Sequence, residues 1–299
     1  MTMPGLPLFP ARRRTAVSTV RGVAHWVRAR LPGDALARFV VAPLQLDYAM
    51  PRDSLFAKHL AKYGAYEPQN SNWVLRSFHG RTPGLFVDVG ANFGWYSLML
   101  ARCAQAAPGD AAGTTVVAIE PDPASFELLQ GNLSRNRIES VVALRVGVGA
   151  QAMTATLSDV ERGNPGARTV RPVRTALAAT TIEIKPLDVL LAPYDGPIAL
   201  LKMDIEGYEM DALMGAPETL ARTDRLLVEY SPRFLRACGH NPADLLALLR
   251  DAGFEPRLVG DLSLIDIEEA GVGALVSERE DAPRSQIDLV FERRAARTS

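Results

Sequence analysis

The chain has 299 residues, 47% of them hydrophobic, with 33 Lys and Arg against 34 Asp and Glu for a formal net charge of −1 at pH 7. That content suffices for the core of one α/β domain with an extension, and the near-neutral balance excludes a global field for nucleic acid or an anionic membrane. Two cysteines, Cys103 and Cys238, provide no disulfide framework and no metal-ligand spacing, which fits a reducing, cytoplasmic setting.

Residues 1–62 read as an irregular or helical N-terminal extension, because Pro4, Pro7, Pro10, Pro32, Pro43 and Pro51 keep any helix there short. Arg12-Arg13-Arg14 precedes a partly apolar run, but Arg21, His25 and Arg28 interrupt it. No stretch reaches the ~18 uninterrupted apolar residues that a membrane span needs. A basic amphipathic helix over about residues 15–31 is expected, packed by one face on the domain.

Residues 63–299 read as one domain. Strands are predicted at 85–89, 115–119, 141–148, 198–203, 225–230, 254–259 and 286–292, and helices near 92–104, 123–136, 207–222 and 241–252. This alternation predicts an α/β fold: a doubly wound, mostly parallel, Rossmann-like sheet of about seven strands with helices on both faces. No helix separates the final strand from the one before it, so the last strand is expected to be antiparallel. Asn241 before Pro242 is a helix cap, and Gly253 is the matching stop. Residues 105–114 read as a flexible loop. Residues 158–180 carry Arg162, Arg168, Arg171 and Arg174, are too long for a simple connection, and are expected to form a lid over an acceptor pocket.

The turn after the first predicted strand is the most informative stretch. Leu85-Phe86-Val87-Asp88-Val89 runs into Gly90-Ala91-Asn92-Phe93-Gly94, then into an amphipathic segment. A strand, a glycine turn and a helix start together offer close backbone approach and free N–H groups to a ligand. The next predicted strand ends Ile119-Glu120-Pro121, which places a carboxylate for both hydroxyls of a ribose. A dinucleotide site wants G-x-G-x-x-G so that a pyrophosphate sits on the helix N-terminus. The spacing here is D-x-G-x-x-x-G, which suits S-adenosylmethionine. Asp88, Gly90, Asn92, Gly94, Glu120 and Pro121 are therefore the candidate cofactor-binding residues.

The second informative stretch is Lys202-Met203-Asp204-Ile205-Glu206-Gly207-Tyr208-Glu209, after the apolar run from Ile198. Lys202, Asp204 and Glu206 are two residues apart and share one side if the strand continues that far. Charges ending a buried strand are costly unless they pair or serve a ligand. One reading makes them catalytic. The other makes Lys202 a structural bridge between two carboxylates at a helix start.

Together these blocks resemble the FkbM-type S-adenosylmethionine-dependent methyltransferases. The resemblance rests on V-D-V-G-A-N-F-G-W-Y-S at 87–97, A-I-E-P-D-P at 118–123, N-L-S-R-N at 132–136, P-L-D-V-L-L at 186–191, K-M-D-I-E-G-Y-E at 202–209 and L-V-E-Y at 227–230. It covers roughly residues 63–292, and the K-x-D-x-E-G block is its most specific part. The loop at 105–114 and the arginine-rich stretch depart from the pattern, so the acceptor does not carry over. The resemblance implies a class I methyltransferase sheet and methyl transfer, usually to a hydroxyl.

A protonated alcohol is a poor nucleophile, so a base or a divalent metal must help it. Asp204 and Glu206, with Lys202 beside them, are the candidate catalytic residues, and Glu229 is a third candidate base. A base is preferred to a metal, whose ligands stay unassigned, because few carboxylates are visible and hard cations want more oxygen ligands. His240 reads as a turn residue. The expected acceptor is a small molecule, a sugar or a secondary metabolite. A lipid-linked or glycan substrate is the second reading, and a non-catalytic partner-binding protein on the cofactor fold the third. The retained glycines and acids argue against the third. The glycine spacing argues against a dehydrogenase, and the charge balance against nucleic acid.

Overall fold

The computed structural model describes residues 8–9, 21–22, 24–25, 35–81, 84–106, 114–159, 168–170, 179–260, 263–267, 271–272 and 286–294. Most of the expected lid at 158–180, most of the expected basic helix at 15–31 and the middle of the loop at 105–114 lie outside the described residues. In chain order the elements are β1 (Leu36–Val41), β2 (Leu46–Pro51), α1 (Leu55–Tyr63), α2 (Pro68–Phe78), β3 (Leu85–Val89), α3 (Trp95–Gln105), β4 (Thr115–Ile119), α4 (Pro123–Arg135), β5 (Val141–Leu144), β6 (Gly147–Val148), β7 (Met153–Asp159) and β8 (Arg168–Thr169). They continue with β9 (Ala179–Lys185), α5 (Leu187–Leu191), β10 (Ile198–Met203), α6 (Glu209–Met214), α7 (Pro217–Ala221), β11 (Arg225–Tyr230), α8 (Pro232–Ala237), α9 (Pro242–Asp251), β12 (Phe254–Val259), β13 (Leu264–Asp266) and β14 (Ile287–Arg293). The fold is α/β, with a mostly parallel main sheet whose C-terminal strands are antiparallel. The described chain forms two compact units: one holds the residues up to 81 and 91–145, the other holds 84–90, 146–159 and the residues from 168 on.

In the first unit β4 and β5 pair in parallel, from Val116 opposite Val141 to Ile119 opposite Leu144. β1 and β2 form an antiparallel hairpin, Leu36 opposite Pro51 and Val41 opposite Leu46. This hairpin is a finding that the irregular or helical reading of residues 1–62 did not contain. The prolines that argued for short helices are compatible with it: Pro43 sits in the turn and Pro51 at the strand end. Aromatic side chains fill the unit's interior. Phe56 stacks on Tyr66 at 3.6 Å, Trp95 lies 5.2 Å from Tyr48, and the indole N–H of Trp95 donates to Ser71 at 2.9 Å.

Helix α4 starts with Asp122 capping the Ser125 N–H at 2.9 Å and Pro123 in the first turn. Its other end carries Asn132 and Asn136, one turn apart on one face. Their amides do for β2 what a neighbouring strand would do. Asn132 Oδ1 accepts from the Ala49 N–H at 2.8 Å, and its Nδ2 donates to the Ala49 carbonyl at 3.0 Å. Asn136 repeats the pair at Asp47, with both bonds at 2.8 Å. Asn132 Nδ2 also donates to the Phe93 carbonyl at 2.9 Å, so the same side chain fixes the hairpin and the glycine turn.

In the second unit the strands run β13-β12-β14-β11-β10-β3. β10 is parallel to both β3 and β11, and β14 lies antiparallel between β11 and β12. A smaller sheet, β6-β9-β7-β8, packs Leu157, Ile182 and Ile184. The strand predicted at 141–148 is two strands: β5 pairs with β4, and β6 pairs with β9. The helix predicted at 207–222 is also two. Gly215 lies so close to the Gly149 carbonyl that a Cβ would collide with it, and Pro217 opens the second helix. Asn241 caps α9 as its sequence predicts, accepting from the Ala243 N–H at 3.3 Å.

The buried Asn132 carries a stability prediction. Asn132→Ala leaves the Ala49 N–H and two carbonyls without their partner, at roughly 1–3 kcal/mol for a buried polar group left unsatisfied. Urea unfolding should show a total loss of about 2–4 kcal/mol with unchanged slope. A loss below about 0.5 kcal/mol would mean that the hairpin does not depend on this residue.

Candidate active site

Within the first unit the glycine turn is held from two directions. The Ala91 N–H donates to the Ile119 carbonyl at 3.0 Å, continuing the line of β4. The Asn92 N–H donates to Glu120 Oε2 at 2.8 Å. The other oxygen of Glu120 accepts from the Asp122 N–H, also at 2.8 Å. Glu120 is 7% exposed, so a buried carboxylate at the strand end is oriented by two backbone donors. Asn92 and Gly94 have φ of 50° and 88°, and Gly94 begins α3. A Cβ on Gly94 would come within 2.6 Å of Leu98 and Leu129, so this glycine allows the helix start to close on α4. Pro121 sits between Glu120 and the capping Asp122, partly exposed.

In the second unit Asp88 and Lys202 are side by side on β3 and β10, cross-strand neighbours in register. Both are buried, at 1% and 5% exposure. The Lys202 ammonium lies 3.7 Å from Asp88, 3.6 Å from Asp204 and 3.3 Å from the Gly90 carbonyl, to which it donates. The bridging geometry weighed for this lysine is therefore present. Gly90 has φ of 75°, and a Cβ there would run into the Asp204 carbonyl oxygen. The first glycine of the motif is thus required by the close approach of the β10 end.

The expectation that Lys202, Asp204 and Glu206 share one strand face fails at Glu206. β10 ends at Met203, and the Asp204 N–H still donates to the Val89 carbonyl at 3.2 Å. Then Glu206 and Gly207 turn to φ of 55° and 100°, which destroys the period of two. Glu209 holds this turn. Its Oε1 accepts from the N–H groups of Ile205 at 3.0 Å and Gly207 at 3.3 Å. Sequence reasoning quoted Glu209 but gave it no role. Its signal was an acid in the first turn of a helix behind a glycine.

Glu229 ends β11 at 6% exposure, opposite Asp288 on β14. Its Oε1 accepts from Gln286 Nε2 at 2.5 Å, while its buried Oε2 has no hydrogen-bond partner among the described residues. Burial, followed by the charges of Asp204, Glu206, Glu209 and Asp288, pushes the Glu229 carboxyl well above the ordinary range. Burial pushes Glu209 up to about 7, partly offset by the backbone N–H groups of Ile205, Glu209 and Gly207. His240 pairs with Asp211 at 2.7 Å in the turn before α9. Cys103 is buried, and desolvation pushes its thiol up to about 12, which makes it inert. Among the described residues no group of three or more His, Cys, Asp or Glu is arranged to hold a metal ion, and no helix is long and apolar enough to cross a membrane. A cavity of about 600 Å³ elsewhere in the second unit is lined by Arg250, Phe254, Arg257 and Phe291 among others, and by none of the residues above.

The raised Glu209 carboxyl predicts a pH-dependent stability. Below about pH 4.5 it is protonated in the folded and unfolded chains and contributes nothing. As pH rises, the unfolded chain ionises first, so the folded state loses stability until about pH 7. Glu209→Gln keeps an oxygen for the two N–H groups without the charge. Its melting point should match the wild type at pH 4.5 and exceed it at pH 8, by the equivalent of a few kcal/mol at most. A variant less stable at pH 8 would show that the ionised carboxylate is what holds the turn.

Comparisons with known proteins concern the family of the chain. The model of the methyltransferase FkbM domain matches residues 88–256, more than half of the chain. "Methyltransferase sdnD" of Sordaria araneosa is 30% identical over 202 residues, 56% of this chain and 73% of that protein. "Methyltransferase 1" of Beauveria bassiana is 26% identical over 152 residues, 43% of this chain, and the chain covers 57% of that protein's length. Among solved structures, the methyltransferase FkbM of Methylobacillus flagellatus KT superposes with a TM-score of 0.46 at 16% identity, over 91% of this chain and 59% of that one. The match of the family model over residues 88–256 takes in β3, β4, β10, β11 and their acids, and the chain belongs to the FkbM methyltransferase domain family.

Proposed function

We propose that this protein transfers the methyl group of S-adenosylmethionine to a hydroxyl of a small molecule, a sugar or a secondary metabolite. In this reading residues 63–299 are the methyltransferase domain and residues 1–62 its extension. The observation that carries it is the Glu120 carboxylate, buried at the end of β4 and oriented by the N–H groups of Asn92 and Asp122. A fixed carboxylate behind a glycine turn matches the vicinal hydroxyls of a ribose, and family membership supplies the methyl chemistry. Asp88, Gly90, Asn92, Gly94, Glu120 and Pro121 are assigned to the cofactor, whose sulfonium supplies an already activated methyl group. The protein then has two tasks: to align the acceptor oxygen and to take its proton.

Lys202 acts here by position. It sets Asp204 and the Gly90 carbonyl relative to Asp88, and it offsets two of the acids at this strand end. Asp204 and Glu206 belong to the acceptor side in this reading.

Binding and turnover measurements test the proposal. In thermal unfolding of the full chain, S-adenosylhomocysteine at ~100 times its dissociation constant should stabilise by ~2.7 kcal/mol, and NAD should not. Glu120→Ala should lose ~1.5–3 kcal/mol of that binding in calorimetry while staying folded. Unchanged affinity in a folded Glu120→Ala protein removes the ribose assignment. Asp204→Asn and Glu206→Gln should keep cofactor affinity and lower turnover, and a chelator should leave the wild-type rate unchanged if a side chain takes the proton.

A further inference from the structure

Five carboxylates gather where β10, β11 and β14 meet the turn before α6: Asp204, Glu206, Glu209, Glu229 and Asp288. They are not equivalent. Asp204 is 3.6 Å from the Lys202 ammonium. Glu209 spends one oxygen on the Ile205 and Gly207 N–H groups. Glu206 is partly exposed on a left-handed turn. Asp288 faces Glu229 across the β11–β14 ladder. Glu209 and Glu229 each keep a second buried oxygen without a hydrogen-bond partner among the described residues, but Glu209 is fully buried under the turn that it closes, whereas Glu229 retains 6% exposure and has its other oxygen fixed by a side chain, Gln286. A buried acceptor left unsatisfied costs about 1–3 kcal/mol, so its survival at a strand end calls for a ligand that completes it.

We propose that Glu229 is the catalytic base of this protein and that its Oε2 takes the proton of the acceptor hydroxyl. This rests on the methyltransferase reading above and names the group that its chemistry requires. The step balances: the acceptor's O–H bond breaks, the proton goes to Glu229 Oε2, the acceptor oxygen gains the methyl carbon, and the carbon–sulfur electron pair stays on sulfur. Glu229 then loses the proton to water. Gln286 holds the other oxygen, so the carboxylate keeps one orientation through the cycle. The surrounding acids have a definite part. Asp204 and Glu206 from the turn after β10, Glu209 from α6 and Asp288 from β14 all raise the proton affinity of Glu229, as does burial. A base is most effective when its pKa lies near the working pH, and an ordinary exposed Glu falls well below that. Asp204 and Glu206 are then positioning residues that tune the base.

The test uses the full chain, methyl-labelled S-adenosylmethionine and a small-molecule extract of the source cells as the acceptor mixture. Wild-type label transfer should rise with pH to a plateau, on a limb displaced above the usual carboxylate range. Glu229→Gln should cut transfer by about 10²–10⁴-fold while S-adenosylhomocysteine affinity, read by calorimetry, stays within about twofold. Asp204→Asn and Glu206→Gln should retain the limb but move it to lower pH, because each removes a charge that raises it. A second readout needs no turnover. Glu229→Gln should melt above the wild type at pH 8, with the difference vanishing toward pH 4.5, since the wild type alone must ionise a buried acid. Should Glu229→Gln fail to fold, Glu229→Asp keeps the charge, moves the oxygen away from its mark and should lose at least about tenfold while keeping the limb. A folded Glu229→Gln protein with near-normal transfer, or one less stable than the wild type at every pH, overturns the assignment of Glu229 alone. A wild type that binds S-adenosylhomocysteine yet transfers label to nothing removes the methyltransferase reading, and Glu229 with it.

Discussion

Lys202 is the constraint around which the strand ends are arranged. A buried ammonium with 5% exposure is tolerated only if opposite charge and acceptors surround it. Asp88 supplies this from the adjacent strand, Asp204 from two residues along, and Gly90 through its carbonyl. Meeting all three requires the backbone of residues 88–90 to lie against that of 202–204. At that separation there is no room for a side chain on residue 90, since a Cβ would occupy the place of the Asp204 carbonyl oxygen. One buried charge therefore fixes a glycine, which takes a left-handed φ at the end of β3. Removing the ammonium while keeping the carboxylates would leave uncompensated buried charge, the kind of change that costs ~3–5 kcal/mol.

Beyond Lys202 the second unit accumulates negative charge. Glu209 and Glu229 are both buried, and both hold their protons more tightly than an exposed Glu. Their roles differ in what surrounds them. Glu209 is enclosed by the turn it closes, so its raised affinity is a cost of holding Glu206 and Gly207 in left-handed conformations. Glu229 closes no turn: a side chain, Gln286, holds its Oε1, and its Oε2, like that of Glu209, is buried without a hydrogen-bond partner among the described residues. Strain and unsatisfied groups that persist in an otherwise well-paired interior concentrate at sites that use them. In the first unit the corresponding device is neutral. Asn132 and Asn136 give β2 the bonds of a strand, and Asn132 extends the same support to Phe93 in the glycine turn.

What the sequence made legible follows from the range of the interactions involved. The strands at 85–89, 115–119, 198–203 and 225–230 are short apolar runs between turn residues, and all four form with those bounds. Caps are local, so Asn241 and Pro242 announce α9 correctly. The failures are non-local. Asn132 and Asn136 resemble the solvent face of an ordinary helix, because nothing nearby in sequence says that residues 47 and 49 will need their amides. The hairpin at 36–51 is the local exception: it carries prolines that break helices equally well, and these hid its pairing. The division between α6 and α7 depends on Gly149, a long way back in the chain. At the site, the residue types and spacing pointed to Lys202, Asp204 and Glu206 as one face. The left-handed turn separated Glu206 from the other two, and the packing of β11 and β14 set apart Glu229, until then only the third candidate base.

In the proposed reading, Asn92 and Gly94 of the glycine turn and Glu120 at the end of β4 bind a nucleoside cofactor. Amide hydrogen exchange of the full chain with and without S-adenosylhomocysteine tests it most directly, because the Asn92 and Asp122 N–H groups are the donors that orient Glu120. Occupancy should slow exchange at residues 90–94 and 120–122 while the far strands β12 and β13 stay unchanged. Saturating ligand that leaves exchange at these residues unaltered, or that protects only segments elsewhere, would contradict it.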